Sequence, residues 1–178
     1  MPFPTLPSGV TLRLLRAADA PALARAYQDN RDHLAPWEPL RDDRFFTEAG
    51  QTEQIAARLE AASAGTDLPW VLEAQERIVG TMTLAGIVRG PFLSAHVGYW
   101  VAGRLQGRGV CSAALQEVLR HAREELGLHR LQASVLPRNA ASTAVLRRAG
   151  FTLIGTAPSY LRIAGAWQDH LLYQRILH

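Results

Sequence analysis

The chain contains no lysine. All 19 residues counted as lysine plus arginine are arginine, so Schiff-base chemistry on a lysine and a GxxxxGK[ST] phosphate loop are both excluded. It has a single cysteine, Cys111, which excludes an internal disulfide framework and the cysteine-based structural zinc patterns. His121 and His129 have neither metal-ligand spacing nor acidic companions, and no metal is expected. Nowhere do about 18 apolar residues run together, and the opening MPFPTLPSG has no basic segment leading into an apolar one. The expectation is a cytoplasmic protein with no membrane partner. A formal net charge of +3 is also little, and it is scattered. Arginines alternate with acids, as in Arg41-Asp42-Asp43-Arg44 and Arg120-His121-Ala122-Arg123-Glu124-Glu125, which describes solvated faces and not a nucleic-acid surface.

What is present is enough apolar material for one core: 48% of 178 residues are hydrophobic, which predicts a single domain over 1–178. Residues 10–16, VTLRLLR, alternate as a half-buried strand does. Asp19 and Pro21 then signal a helix through ALARAYQDNRDHL. Residues 35–50 read as a loop with room for a short helix, and 51–64 as a second helix. PWVLEAQ and RIVGTMTLAGIV form a predicted hairpin, and LSAHVGYWV a third strand. After a helix from about 110 come HRLQASVL, a helix over 139–149, and two strands joined at Ala164-Gly165. This order predicts an α/β fold, a mixed sheet with helices on its faces.

Between the third strand and its helix stands QGRGVCSAAL. Glycine lets backbone approach a ligand closely and adopts φ > 0, which turns successive N–H groups to one side. The helix that follows adds unpaired amides and the positive end of its dipole, so the stretch predicts an anion cradle, or else a simple connecting turn. Apolar residues Cys111, Leu115, Val118, Leu119, Ala122 and Leu126 recur at helical spacing and predict the face that packs on the sheet.

The order GYWVAGRLQGRGVCSAAL, then LPRNAASTAVLRRAGF, resembles the GCN5-related N-acetyltransferase superfamily, and within it the Rim-type ribosomal-protein alanine N-acetyltransferases. The resemblance spans residues 10–177. It implies a mostly antiparallel twisted sheet with helices on both faces and two splayed central strands, here 94–101 and 131–136. It implies acetyl-CoA as cosubstrate, its pyrophosphate held by Gln106, Gly107, Arg108, Gly109, Val110, Cys111 and Ser112, with Asn139 in the second half of the site. Cysteine at the last cradle position departs from the family's usual small residue. A pantetheine arm, whose amides pair as a strand does, needs the free edge that splaying provides, and Gly98 is a candidate for easing a bulge there.

Acetyl transfer to an amine needs a neutral amine, a polarised carbonyl and a proton for the leaving thiolate. Ser142 is the candidate donor, in the first turn of a helix capped by Asn139; the alternative is a serine that satisfies that helix end. The tyrosine of many relatives is replaced here by Leu146. His96 is the candidate base, or a histidine on a packed strand face, and Leu161 stands where some relatives carry a catalytic acid. Trp37 and Glu38 lie in a loop suited to binding an acceptor amine, and Tyr160, Trp167 and Asp169 are candidates for lining its channel. The favoured acceptor is a protein or peptide N-terminus. A small amine, or a non-catalytic acyl-CoA-binding module, are the alternatives, and a monomer or homodimer is expected.

Overall fold

Alternating residues put side chains on both faces of a sheet, and here the central strands carry a core on each face. The computed structural model describes residues 5–178. Its strands are Thr5–Leu6 (β1), Val10–Leu14 (β2), Leu68–Ala74 (β3), Arg77–Val88 (β4), Ser94–Val101 (β5), Arg130–Val135 (β6), Thr152–Ile163 (β7) and Ala166–Ile176 (β8). They form one sheet in the order β1-β2-β3-β4-β5-β6-β8-β7. Of the neighbouring pairs only β5 and β6 run parallel.

The helices are Ala20–Asp29 (α1), Arg31–Leu34 (α2), Glu48–Ser63 (α3), Val110–Glu124 (α4) and Ala140–Arg148 (α5). Trp70, Leu72, Met82 and Leu84 pack with Leu115, Val118, Leu119 and Ala122 of α4 on one face. Val71, Ile78 and Trp100 pack with Leu23 and Tyr27 of α1 and Ile55 of α3 on the other. The apolar stripe expected on α4 is therefore the buried one, with Cys111 and Leu126 at its margins.

Three local expectations are corrected. The first helix does not run unbroken to Leu34: the amide of Asn30 donates to Ala26 O at 2.9 Å, while its Oδ1 accepts the N–H of Gly103 at 3.0 Å. That side chain ends α1 and ties it to the segment before the cradle. The second helix starts at Glu48, ahead of residue 51, because the Thr47 hydroxyl caps it by accepting the Gly50 N–H at 3.1 Å. The bulge lies on β4, between Ala85 and Val88, where Gly86 has φ +61°. Gly98 pairs in regular register with Thr83.

Among the described residues, no helix is long and apolar enough to cross a membrane.

Candidate active site

β5 and β6 are paired only through Ser94–Arg130, Ala95–Leu131 and His96–Gln132. Beyond them β5 continues to pair with β4 as far as Val101, and β6 with β8 as far as Val135. The two neighbours thus part company after His96, leaving the facing backbone edges of 97–101 and 133–135 without each other. A cleft of about 630 Å³ opens on the α4 and α5 side, lined by cradle residues, the first turn of α5 and the 33–38 segment. A second cavity of about 340 Å³ is lined by Glu38, Arg41, Arg58, Thr81, His96 and Ser134, among others. Glu38, Tyr99 and Trp100 line both.

The cradle has the predicted form. Gly107 and Gly109 take φ +71° and +77°, and a Cβ on either would project into open space. Gly109 is the N-cap of α4 in a left-handed conformation, with no side chain capping the helix. The first helical bond there is from Ala113 N to Gly109 O. The amides of Val110, Cys111 and Ser112 are left to a ligand, and the helix dipole favours a negative one. Gln106, Gly107, Gly109, Val110, Cys111 and Ser112 line the large cleft. Arg108 does not: its side chain is exposed and only its neighbours face inward. The cradle and the open strand edge beside it fit a pyrophosphate joined to an amide-bearing arm.

Asn139 caps α5 through Oδ1, which accepts the Ser142 N–H at 3.0 Å. The Ser142 hydroxyl is free of that task and lies 3.0 Å from the Tyr99 hydroxyl. Burial pushes the Tyr99 phenol well above its ordinary value; Cys111 adds to this, and the bond to Ser142 opposes it. Burial also pushes the Cys111 thiol up to about 12.

Glu38 is one-fifth exposed, and its Oε2 lies 3.8 Å from Arg41 Nε. Burial raises its carboxyl above the ordinary glutamate range, against the pull of Arg41 and Arg58. Its backbone carbonyl accepts the N–H of Ala164 at 2.9 Å. Trp37 lines the large cleft beneath the guanidinium of Arg138, which also donates to Pro36 O at 3.0 Å and to Gln168 Oε1. His96 lines only the smaller cavity, and no described residue hydrogen-bonds or pairs with its ring.

The other expected acceptor residues stand elsewhere. Tyr160, Trp167 and Asp169 line neither cavity. Trp167 is 65% exposed, Tyr160 packs its ring against His170, and Asp169 accepts the Ser159 N–H at 2.8 Å across the β7 bulge. The hairpin serves the site through its turn, which holds the loop of Glu38. Three residues at the site were missed in the sequence: Tyr99, Arg41 and Arg58. Strand parity carried the signal for Tyr99. It shares a face with Val97 and Val101, which pack in the α4-side core, whereas His96 shares the opposite face with Trp100 of the α1 and α3 core.

A family profile described as "Acetyltransferase (GNAT) domain" matches residues 10–152. The [Ribosomal protein uS5]-alanine N-acetyltransferase of Escherichia coli is 33% identical over 165 residues, 92% of this chain and 85% of that one. Ribosomal-protein-S5-alanine acetyltransferase from Vibrio fischeri superposes with a TM-score of 0.91 at 34% identity, over 99% of this chain and 95% of the other. Mycobacterium smegmatis RimJ, solved in complex with CoA-disulfide, gives 0.90 at 36% identity over 94% and 81%. Fold, cradle and relatives agree: the chain belongs to the GNAT acetyltransferases and is an acetyl-CoA-dependent N-acetyltransferase.

Proposed function

We propose that the acceptor is the N-terminal amino group of a protein or peptide, and that the two cavities divide the reaction between them. The observation that carries this reading is their meeting at Glu38 and Tyr99. Acetyl-CoA supplies the thioester. Gly107, Gly109 and the amides of Val110, Cys111 and Ser112 hold its pyrophosphate, and the free edge of β5 pairs with its arm. Glu38 receives the acceptor's ammonium from the other side and holds it at the junction, where it loses a proton to solvent water. The neutral amine then attacks the thioester carbonyl, and a second proton leaves the nitrogen to water as the amide forms and the carbon–sulfur bond breaks. Ser142, backed by Tyr99, gives the leaving sulfur its proton. Cys111 keeps its own proton at working pH, because burial holds its thiol up at about 12. A thiol is nucleophilic only as thiolate, so direct attack by the amine is favoured over an acetyl-enzyme on Cys111. The uS5-alanine relatives support a protein N-terminus as acceptor.

The test is thiol release measured across short peptides with free amino termini and across small amines such as polyamines and amino sugars. The reading expects kcat/KM for an alanine-initiated peptide to exceed that for every small amine, and N-terminal blocking to abolish turnover. Turnover confined to small amines sinks it.

A further inference from the structure

The smaller cavity carries more positive than negative charge. Its charged lining is one carboxylate, Glu38, and two guanidinium groups, Arg41 and Arg58, with the His96 imidazole also present. Arg41 is only loosely engaged with Glu38, at 3.8 Å, beyond hydrogen-bond reach, and its guanidinium also lies over the Phe45 ring at 4.4 Å. Arg58 projects from α3, is half-buried, and has no hydrogen bond or ion pair to a described residue; its charge reaches the Glu38 carboxyl without direct contact. A half-buried guanidinium without a hydrogen-bonded anion has lost part of its hydration with no direct contact in exchange. An acceptor that brings only an ammonium into this cavity neutralises Glu38 and leaves both arginines unpaired.

From this imbalance we propose that the acceptor carries an acidic group close to its reacting amine: a peptide N-terminus with Asp or Glu at its second or third residue, whose carboxylate is taken by Arg58 and Arg41. The inference rests on reading this cavity as the acceptor's, and it names the class of acceptor. The order of the groups sets the order of recognition. Glu38 borders both cavities, so the amine lies at the junction beside the thioester. Arg41 and Arg58 border the smaller cavity alone, so the acid lies further along the acceptor chain. Thr81, Thr83 and Ser134 line the same space with hydroxyls suited to peptide amides and carbonyls. Arginine's planar fork binds carboxylate in two parallel bonds, which gives geometry as well as charge.

Three peptides of one sequence, each beginning with alanine and differing only in Glu, Gln or Lys at the second and third residues, test this. Full-length wild type, Arg58→Met, Arg58→Lys and Arg58→Glu are compared in kcat/KM, with folding checked by thermal melting. Wild type should prefer the Glu peptide over the Lys peptide by about tenfold or more, the scale of a charge-assisted hydrogen bond. Arg58→Met should collapse the Glu-to-Gln ratio toward one, Arg58→Lys should keep part of it, and Arg58→Glu should shift preference toward Lys. Equal rates on all three peptides with wild type, or a preference unchanged in every folded variant, overturns the inference while leaving peptide acetylation standing. Failure to turn over any of the peptides, with small amines acetylated, overturns the peptide reading itself.

Discussion

In the proposed mechanism Ser142 and Tyr99 stand in for a residue that this chain does not have. Where many relatives place a tyrosine, α5 carries Leu146, which is buried in the α4-side core. The phenol arrives instead from β5, within 3.0 Å of the Ser142 hydroxyl. A leaving thiolate needs only mild help, since an ordinary thiol has a pKa of about 8.5. A buried phenol beside a serine is therefore a proton reserve that does not run out as pH rises through neutrality, because burial raises Tyr99 and keeps it protonated. Ser142→Ala should lower kcat by about 10²-fold, the low end of general-acid effects, with acetyl-CoA affinity near wild type in a calorimetric titration. Tyr99→Phe should lower kcat less, and the double variant should cost less than the product of the two, as expected for residues acting in one relay. A fall in affinity at unchanged kcat would instead make Ser142 a cofactor contact. At this scale the sequence was legible for Asn139, whose place after Pro137 announced a cap, and for Glu38 in its loop. Tyr99 was missed, although strand parity held the signal for it. Arg41, in a loop, and Arg58, on α3, were not legible, because nothing local distinguishes a solvated arginine from one that borders a cavity made by a strand far away in the chain.

Periodicity predicts elements well and their ends less well. The eight-stranded sheet contains every strand expected from alternation, and α4 buries the stripe its spacing announced. The second helix was expected from residue 51, after a loop ending at Gly50, but α3 begins at Glu48 and contains that glycine. In the fold it is the residue that lets α3 touch the preceding turn: a Cβ there would sit 2.0 Å from Arg44 O. The hairpin of β7 and β8 was misread for another reason. The family-like ending made Tyr160 and Trp167 candidates for lining the channel; β7 shifts register between Ala157 and Leu161, and neither residue lines the two cavities. Such a shift has no mark in an alternating pattern. Gly109 supports a prediction at the α4 terminus. A side chain there meets no neighbour within 4 Å, but must adopt φ +77°, at a cost of about 1–2 kcal/mol for a non-glycine residue. Gly109→Val should fold with a modestly lowered Tm, and the Tm rise that CoA gives the wild type should vanish. A variant whose CoA-induced shift equals the wild type's means that the pyrophosphate is held elsewhere.

Across the whole molecule, one topological event opens the candidate site: β5 and β6 pair for three residues and then diverge, and the two cavities are lined by residues around the place where they part. That convergence brings His96 and Glu38 to the same cavity as rival handlers of the acceptor's proton, and pH separates them. No described residue orients the His96 ring, whereas Glu38 borders both cavities and its loop is held by Ala164. Burial raises the Glu38 carboxyl in the folded enzyme. A raised carboxyl contributes stability that is fully present below its unfolded pKa and is lost as pH rises through the folded value, because burial penalises ionised Glu38 by more than Arg41 and Arg58 return. Glu38→Gln should therefore melt higher than wild type at neutral pH, with the advantage gone below the ordinary carboxyl range, near pH 4. Its kcat/KM for a peptide acceptor should nevertheless fall by about tenfold or more, through loss of a charge-assisted contact to the ammonium. His96→Gln should leave the maximal rate near wild type, and the midpoint of the pH–rate profile should move with the amine pKa when two acceptors of different basicity are compared. If the midpoint stays fixed for both acceptors and disappears in His96→Gln, the imidazole takes the proton, and Glu38 only holds the ammonium in place.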